Sequence, residues 1–280
     1  MFLEIVKFFI YSGAIVIISK YILVTTLRKL AENLNLKPKT VGDIAGYATS
    51  MPELLTIGAA SFKGLVSASI VNVLSSNVIN FIQYMFSILL NKNRKAFQNK
   101  AIKVDMILVI ITIALPILLV WLNIEVNIAL VPIFIILYLL FRFLNGNAHK
   151  LYLKKEDEKL EEQIEKEGKW ERGNKKKTIK YILYLLITGV LLFIVGDKLG
   201  NTLESLCNRF NISQTIIGIL LGFVTSIPEL ITFFEAQKHY KKQNKDDILG
   251  VVEATNNLLT SNILNLFIIQ SIGSIIFYIA

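Results

Sequence analysis

The chain has 280 residues, of which 54% are hydrophobic, with a mean hydropathy of +0.56 and a formal net charge of +9. Soluble domains carry about 45–50% apolar residues, whereas the excess here is gathered into blocks of about twenty, the helix length that crosses roughly 30 Å of hydrocarbon. Composition therefore excludes a soluble domain and predicts an all-α, polytopic membrane protein, whose basic residues belong in cytoplasmic loops rather than on a nucleic acid.

Eight spans follow in chain order, at about 5–26, 42–61, 66–90, 104–122, 126–144, 178–196, 214–235 and 248–272. The first is too long for a cleavable signal segment and no small-residue cleavage site follows it. Between spans the chain is expected to form loops at 27–40, 91–103, 145–177 and 238–247. Three of these carry thirteen basic residues: Arg28, Lys29, Lys37 and Lys39; Lys92, Arg94, Lys95, Lys100 and Lys103; Lys238, Lys241, Lys242 and Lys245. The opposite side holds four, Lys7, Lys63, Lys198 and Arg209. The asymmetry predicts that the basic side is cytoplasmic and that both termini lie outside, in a multi-pass protein of the cell membrane. Residues 1–145 read as a first repeat of five spans and 178–280 as a second of three. The Lys- and Glu-rich segment 146–177 between them reads as a charged linker, with charges three or four apart as in a surface helix. The single cysteine, Cys207, excludes an intramolecular disulfide and reads as a loop thiol. His149 and His239 fall in separate polar segments, which predicts no His-based metal site.

The second and seventh spans share a motif. Gly46-Tyr47-Ala48-Thr49-Ser50-Met51-Pro52-Glu53-Leu54-Leu55-Thr56 matches Gly222-Phe223-Val224-Thr225-Ser226-Ile227-Pro228-Glu229-Leu230-Ile231-Thr232 at seven of eleven places. Such a polar match inside two apolar spans indicates an internal duplication. The second span runs outward and the seventh inward, so the copies form an inverted repeat, an arrangement that sets a substrate site near mid-membrane.

A carboxylate at mid-bilayer costs about 2.5–3.5 kcal/mol on insertion scales. No Lys or Arg lies at mid-depth in spans 2, 3, 7 or 8 to offset Glu53 and Glu229, so each is protonated or holds a cation. Pro52 and Pro228 lack an N–H and free the carbonyls of Ala48 and Val224. Thr49, Ser50, Thr225 and Ser226 add hydroxyl oxygens. An all-oxygen site with about two negative charges suits Ca²⁺ or Na⁺ rather than Zn²⁺ or Cu⁺.

A second duplicated element follows each motif. Ser75-Ser76-Asn77-Val78-Ile79-Asn80 corresponds to Thr260-Ser261-Asn262-Ile263-Leu264-Asn265, and Asn72 corresponds to Asn257. Residues 72, 76 and 80, and likewise 257, 261 and 265, are four apart and form one polar stripe per helix, predicted to face a cavity rather than lipid.

Thr-Ser-x-Pro-Glu followed by Ser-Asn-x-x-Asn, twice and inverted, resembles the α-repeats of the sodium/calcium exchangers, within the calcium/cation antiporters. The resemblance is close over roughly 42–90 and 214–272. It implies four adjacent cation sites lined by Gly46, Thr49, Ser50, Glu53, Ser76 and Asn80. From the second repeat it adds Gly222, Thr225, Ser226, Glu229, Ser261 and Asn265. Three features depart from the family pattern. Family members commonly have ten spans against eight here, which implies a shortened chain, or a second copy or partner subunit that supplies the remaining surface. The Glu53-to-Ser76 interval is 23 residues and the Glu229-to-Ser261 interval 32, which predicts an enlarged loop around Lys238–Asp247. Some relatives carry aspartate where Asn80 or Asn265 stands. Glu253, one turn before Asn257, is an acid the pattern does not require.

What the resemblance implies is a secondary active antiporter, not an enzyme, that exchanges Ca²⁺ for Na⁺ and needs no cofactor. Ca²⁺/H⁺ exchange and a non-transporting cation sensor are the alternatives.

Overall fold

A computed structural model describes residues 2–34, 36–62, 64, 66–122, 127–154, 158, 174–210 and 213–279. Among these residues there is no strand, and the chain folds as eight helical columns. Column 1 is α1 (Phe2–Ile18), a π-helical turn (Ser19–Val24) and α2 (Thr25–Leu34); column 2 is α3 (Pro38–Thr49) and α4 (Met51–Phe62). Columns 3 to 6 are α5 (Val66–Leu90), α6 (Lys100–Trp121), α7 (Val131–Tyr152) and α8 (Lys175–Phe210). Column 7 is α9 (Gln214–Thr225) and α10 (Ile227–Lys242), and column 8 is α11 (Asp247–Ile263), a π turn (Leu264–Ile269) and α12 (Gln270–Ile279). Among the described residues six stretches are long and apolar enough to cross a membrane, the exceptions being columns 1 and 2. The all-α polytopic class agrees with this architecture, and each of the eight expected spans falls on one helical column, six of which meet the length and hydropathy of a membrane span.

Several expected loops are helical. Column 1 continues to Leu34, through most of the predicted 27–40 loop. The α7 helix runs to Tyr152, so residues 146–152 belong to the first half and His149 is a buried helical residue, not a loop histidine. His239 also sits in a helix, α10, and position 207 lies within α8. Of the charged linker, 155–157 and 159–173 fall outside the described residues; at its start Lys154 pairs with Glu158 at 3.5 Å, the i,i+4 spacing of a surface helix. The extra residues after Glu229 form no enlarged loop. They lengthen α10 to Lys242 and start α11 at Asp247, each about one turn beyond its counterpart, with a short turn between. That turn closes on Asn244 at φ 54°, with the Lys245 N–H donating to the Tyr240 carbonyl, the left-handed ending of a helix C-terminus.

The two repeats interlock. Helix α3 of the first packs along α11 of the second, and α9 of the second packs along α5 of the first. Small residues allow the close approach. A Cβ on Gly46 would lie 2.8 Å from Thr260 Cβ and 2.9 Å from the Asn257 carbonyl; one on Gly222 would lie 3.0 Å from the Asn72 carbonyl and collide with Ser75 Oγ. Apolar packing flanks this polar centre on two sides. Tyr84, Val109, Phe141, Phe233 and Phe267 join α5, α6, α7, α10 and column 8. Ile15, Leu23, Leu27, Leu192 and Leu221 join column 1 to α8 and α9.

Candidate functional site

Each motif sits at a break in its column. Ser50 has φ −82° and ψ 0°, and Ser226 has φ −81° and ψ −1°, so the two copies bend alike. The cause is local. Proline two residues on has no N–H for the carbonyls of Ala48 and Val224, and these accept instead from the Ser50 and Ser226 N–H groups of the bend. The carbonyls of Gly46 and Gly222 accept from the same two N–H groups, at 3.2 and 3.1 Å, and the Gly222 oxygen also accepts from the Thr225 hydroxyl at 3.5 Å. Restarting the helix at Met51 and Ile227 puts Glu53 and Glu229 in the first turns of α4 and α10, where unsatisfied N–H groups favour negative charge.

All twelve residues singled out in the sequence are buried here. Glu53 and Glu229 are 0% exposed, and Glu229 is an acidic neighbour of Glu53. Thr225 of the second repeat lies beside Glu53, and Thr49 of the first beside Glu229. The threonine hydroxyls donate to carbonyls one turn back, Thr49 to Ala45 and Thr225 to Leu221, both at 2.9 Å. Ser261 Oγ donates to Glu229 Oε1 at 3.0 Å and meets Ser50 Oγ at 2.8 Å. Ser76 Oγ donates to Asn72 Oδ1 at 3.3 Å.

The acceptors left over bear on what the cluster could hold. Buried side-chain oxygens without a hydrogen-bond partner include both oxygens of Glu53, Oε2 of Glu229, Oδ1 of Asn80 and of Asn265, and Oγ of Ser226. Each belongs to a residue named from the sequence. Orphaned buried acceptors cost about 1–3 kcal/mol apiece, and a cluster of them, two carboxylates included, is a donor set for a hard cation.

Asn77 and Asn262 were missed as working residues, although both lie inside the duplicated hexapeptide. Asn77 Nδ2 donates to the Asn262 carbonyl at 3.1 Å, and Asn262 Nδ2 returns a bond to the Asn77 carbonyl at 3.3 Å. Their side-chain oxygens accept from Asn265 and Asn80, both at 3.4 Å. The knot ties α5 to column 8 and turns the free oxygens of Asn80 and Asn265 away from those bonds. Outside the centre, Asn72 donates to Thr56 at 3.1 Å and Asn257 to Thr232, joining each polar stripe to its own motif helix.

The family model described as sodium/calcium exchanger protein matches residues 5–146 and 180–280. The chain belongs to the sodium/calcium exchanger family. Solved structures of the sodium-calcium exchanger NCX_Mj share its fold. The form soaked with 100 mM Na⁺ and 10 mM Sr²⁺ is 21% identical with a TM-score of 0.57, covering 99% of this chain and 83% of that one. The form soaked with 2.5 mM Na⁺ and 1 mM Sr²⁺ is 22% identical with a TM-score of 0.55, at the same coverage. A comparison with curated proteins finds no match. Family and fold are those of a multi-pass cation antiporter, a transporter and not an enzyme.

Proposed function

We propose that the chain exchanges Ca²⁺ for Na⁺ across the cytoplasmic membrane. The observation that carries this reading is the pair Glu53 and Glu229, one from each inverted copy, buried side by side with three of four carboxylate oxygens unpartnered. The two carboxylates offer up to four oxygens to Ca²⁺. The hydroxyls of Ser50, Ser226, Ser76 and Ser261, the threonines beside them, the Asn80 and Asn265 side-chain oxygens and the Gly46 and Gly222 carbonyls bring the set to the six to eight that Ca²⁺ takes. Na⁺ on the same oxygens excludes Ca²⁺, so competition alone gives exchange. Access alternates as column 1 and α8, which pack on each other through apolar side chains, slide against the rest.

The test is flux. Vesicles loaded with Na⁺ should accumulate Ca²⁺ and stop when the Na⁺ gradient is collapsed. Uptake that persists without Na⁺ would assign H⁺ as the counter-ion, and absence of flux would leave a cation sensor. The basic-loop end is cytoplasmic in this reading and the termini lie outside. A cysteine replacing Lys95, in a Cys207→Ser background, should therefore be shielded from an impermeant thiol reagent in intact cells, and labelling would reverse the orientation.

A further inference from the structure

The helix α11, beside the site, carries a buried acid outside the Glu53–Glu229 pair. Glu253 lies on α11, one turn from Asn257 and two from Ser261, so it stands about 12 Å along the helix from the residue that bonds Glu229. Its side chain is 3% exposed. It is not part of the duplication, since the corresponding position of the first repeat is Ala68. The acid therefore belongs to the basic-loop end alone.

Its partner is a cation from another column. Arg28, on α2, grips the carboxylate with both arms: Nη1 donates to Oε2 at 2.6 Å and Nη2 lies 2.5 Å from Oε1. The Tyr240 hydroxyl of α10 faces the same carboxylate. The backbone beside it is tight, because Gly42 of α3 abuts the Glu253 carbonyl and a Cβ there would collide with it. A fork-to-fork pair of this kind is a strong, oriented contact. It joins column 1, a moving element in the exchange reading, to the helix that holds the ion.

We propose that Glu253 is an additional cation station, on the route between the basic-loop end and the Glu53–Glu229 centre. In the conformation seen here the Arg28 guanidinium fills it as a tethered stand-in for the ion. The inference rests on the antiport reading. When column 1 moves, Arg28 leaves with it and Glu253 is exposed to an arriving cation. On the return stroke Arg28 displaces the ion toward the centre or back to the entrance.

A plain structural salt bridge and a cation station predict different things. If the pair only braces the fold, Arg28→Gln and Glu253→Gln both break it and behave alike. If Glu253 is a station, the two diverge. Arg28→Gln unplugs it and lowers the half-saturating Ca²⁺ at the basic-loop side by about three- to tenfold, as expected when a competing occupant is removed. Glu253→Gln raises it, and the double variant follows Glu253→Gln. Uptake in vesicles of known orientation reads the difference, and like behaviour of the two singles, or no change in either, overturns the proposal. Arg28→Lys, which keeps the charge but loses the fork, is the second variant should Arg28→Gln not purify as a monodisperse species. It should shift the half-saturation the same way by less, and a shift the other way overturns the proposal. Calorimetric titration of Ca²⁺ separates this inference from the reading beneath it. Glu53→Gln alone tests the central site through loss of tight binding. In the Glu53→Gln/Arg28→Gln background a residual weak Ca²⁺ site should remain and should vanish when Glu253→Gln is added. No residual site would sink the station whatever Glu53→Gln shows.

Discussion

The two repeats share a centre and differ in their surroundings. At the centre they match: the serine bends have the same dihedrals, the threonines bond back one turn, the glycines abut the opposite stripe and the asparagines cross-link as a symmetric knot. Around the centre they diverge. From Leu249 to Ile263 every residue of α11 is buried. Its polar groups are met by side chains of neighbouring columns: Asn256 by Asn145, Thr260 by Arg142, Asn262 by Thr112 and Thr255 by Tyr84. The equivalent helix α5 has one face bare among the described residues, with Ile82 and Phe86 more than half exposed. That face is apolar, so hydrocarbon can cover it with no polar group left unsatisfied. In the exchange reading, ion chemistry constrains both copies together, while the scaffold behind each copy is free to differ.

The largest test of this division is at the carboxylates. Glu53→Gln and Glu229→Gln each keep shape and remove one charge, and each should abolish Ca²⁺ uptake and tight binding while the protein still purifies folded. Calorimetric titration measures it. Binding like the parent's in both variants would move the site elsewhere, and loss in only one would break the equivalence of the repeats.

A smaller effect should separate the scaffolds. Asp105 is fully buried and its oxygens are held by Asn145 at 2.8 Å and His149 at 2.8 Å. Removing the amide with Asn145→Ala leaves buried acceptors unpaired and should cost about 1–3 kcal/mol, read as a lowered Tm in detergent. Ile82→Ala on the bare face of α5 should stay within about 0.5 kcal/mol, as exposed substitutions do. A large loss at Ile82 would mean that something other than lipid packs there, either a second copy or a further segment.

How much of this was legible follows the same line. The candidate residues stand out in the sequence because duplication makes each polar position testify for its twin. Thr49, Ser50, Glu53, Ser76 and Asn80 pair in this way with Thr225, Ser226, Glu229, Ser261 and Asn265, and all ten are buried. The eight columns were readable from apolar length. The scaffold contacts were not, because Asp105, Arg142 and His149 have no twin in the other repeat and their partners lie about 40 to 120 residues away in sequence. His149 was read as a loop residue because the charged run after it hides where the helix stops, and helix ends are the least certain feature of a sequence. The interval after Glu229 misled for a related reason: extra length shows in a sequence, but whether it bulges as a loop or adds a turn to each helix is decided by the caps, here Asp246 before α11 and the left-handed Asn244 after α10.

The smallest expected effect bears on the finest claim of equivalence, that Asn80 and Asn265 present their oxygens to the ion in the same way. Each amide nitrogen is occupied and each oxygen is free. A neutral carbonyl contributes one ligand among six to eight, so Asn80→Ala and Asn265→Ala should each weaken Ca²⁺ binding by roughly tenfold or less, about 1 kcal/mol, with folded protein retained. The surroundings differ, since Asn265 lies in the π turn of column 8 and Asn80 in a regular helix. A π turn shifts the side chains after it around the helix axis and is frequent at functional sites. If that turn brings Asn265 closer to the ion, its alanine variant should lose more affinity than that of Asn80. Equal losses would mean that the symmetry of the motif outweighs the asymmetry of the helix that carries it, and parent-like binding in both would assign the asparagines to helix packing alone.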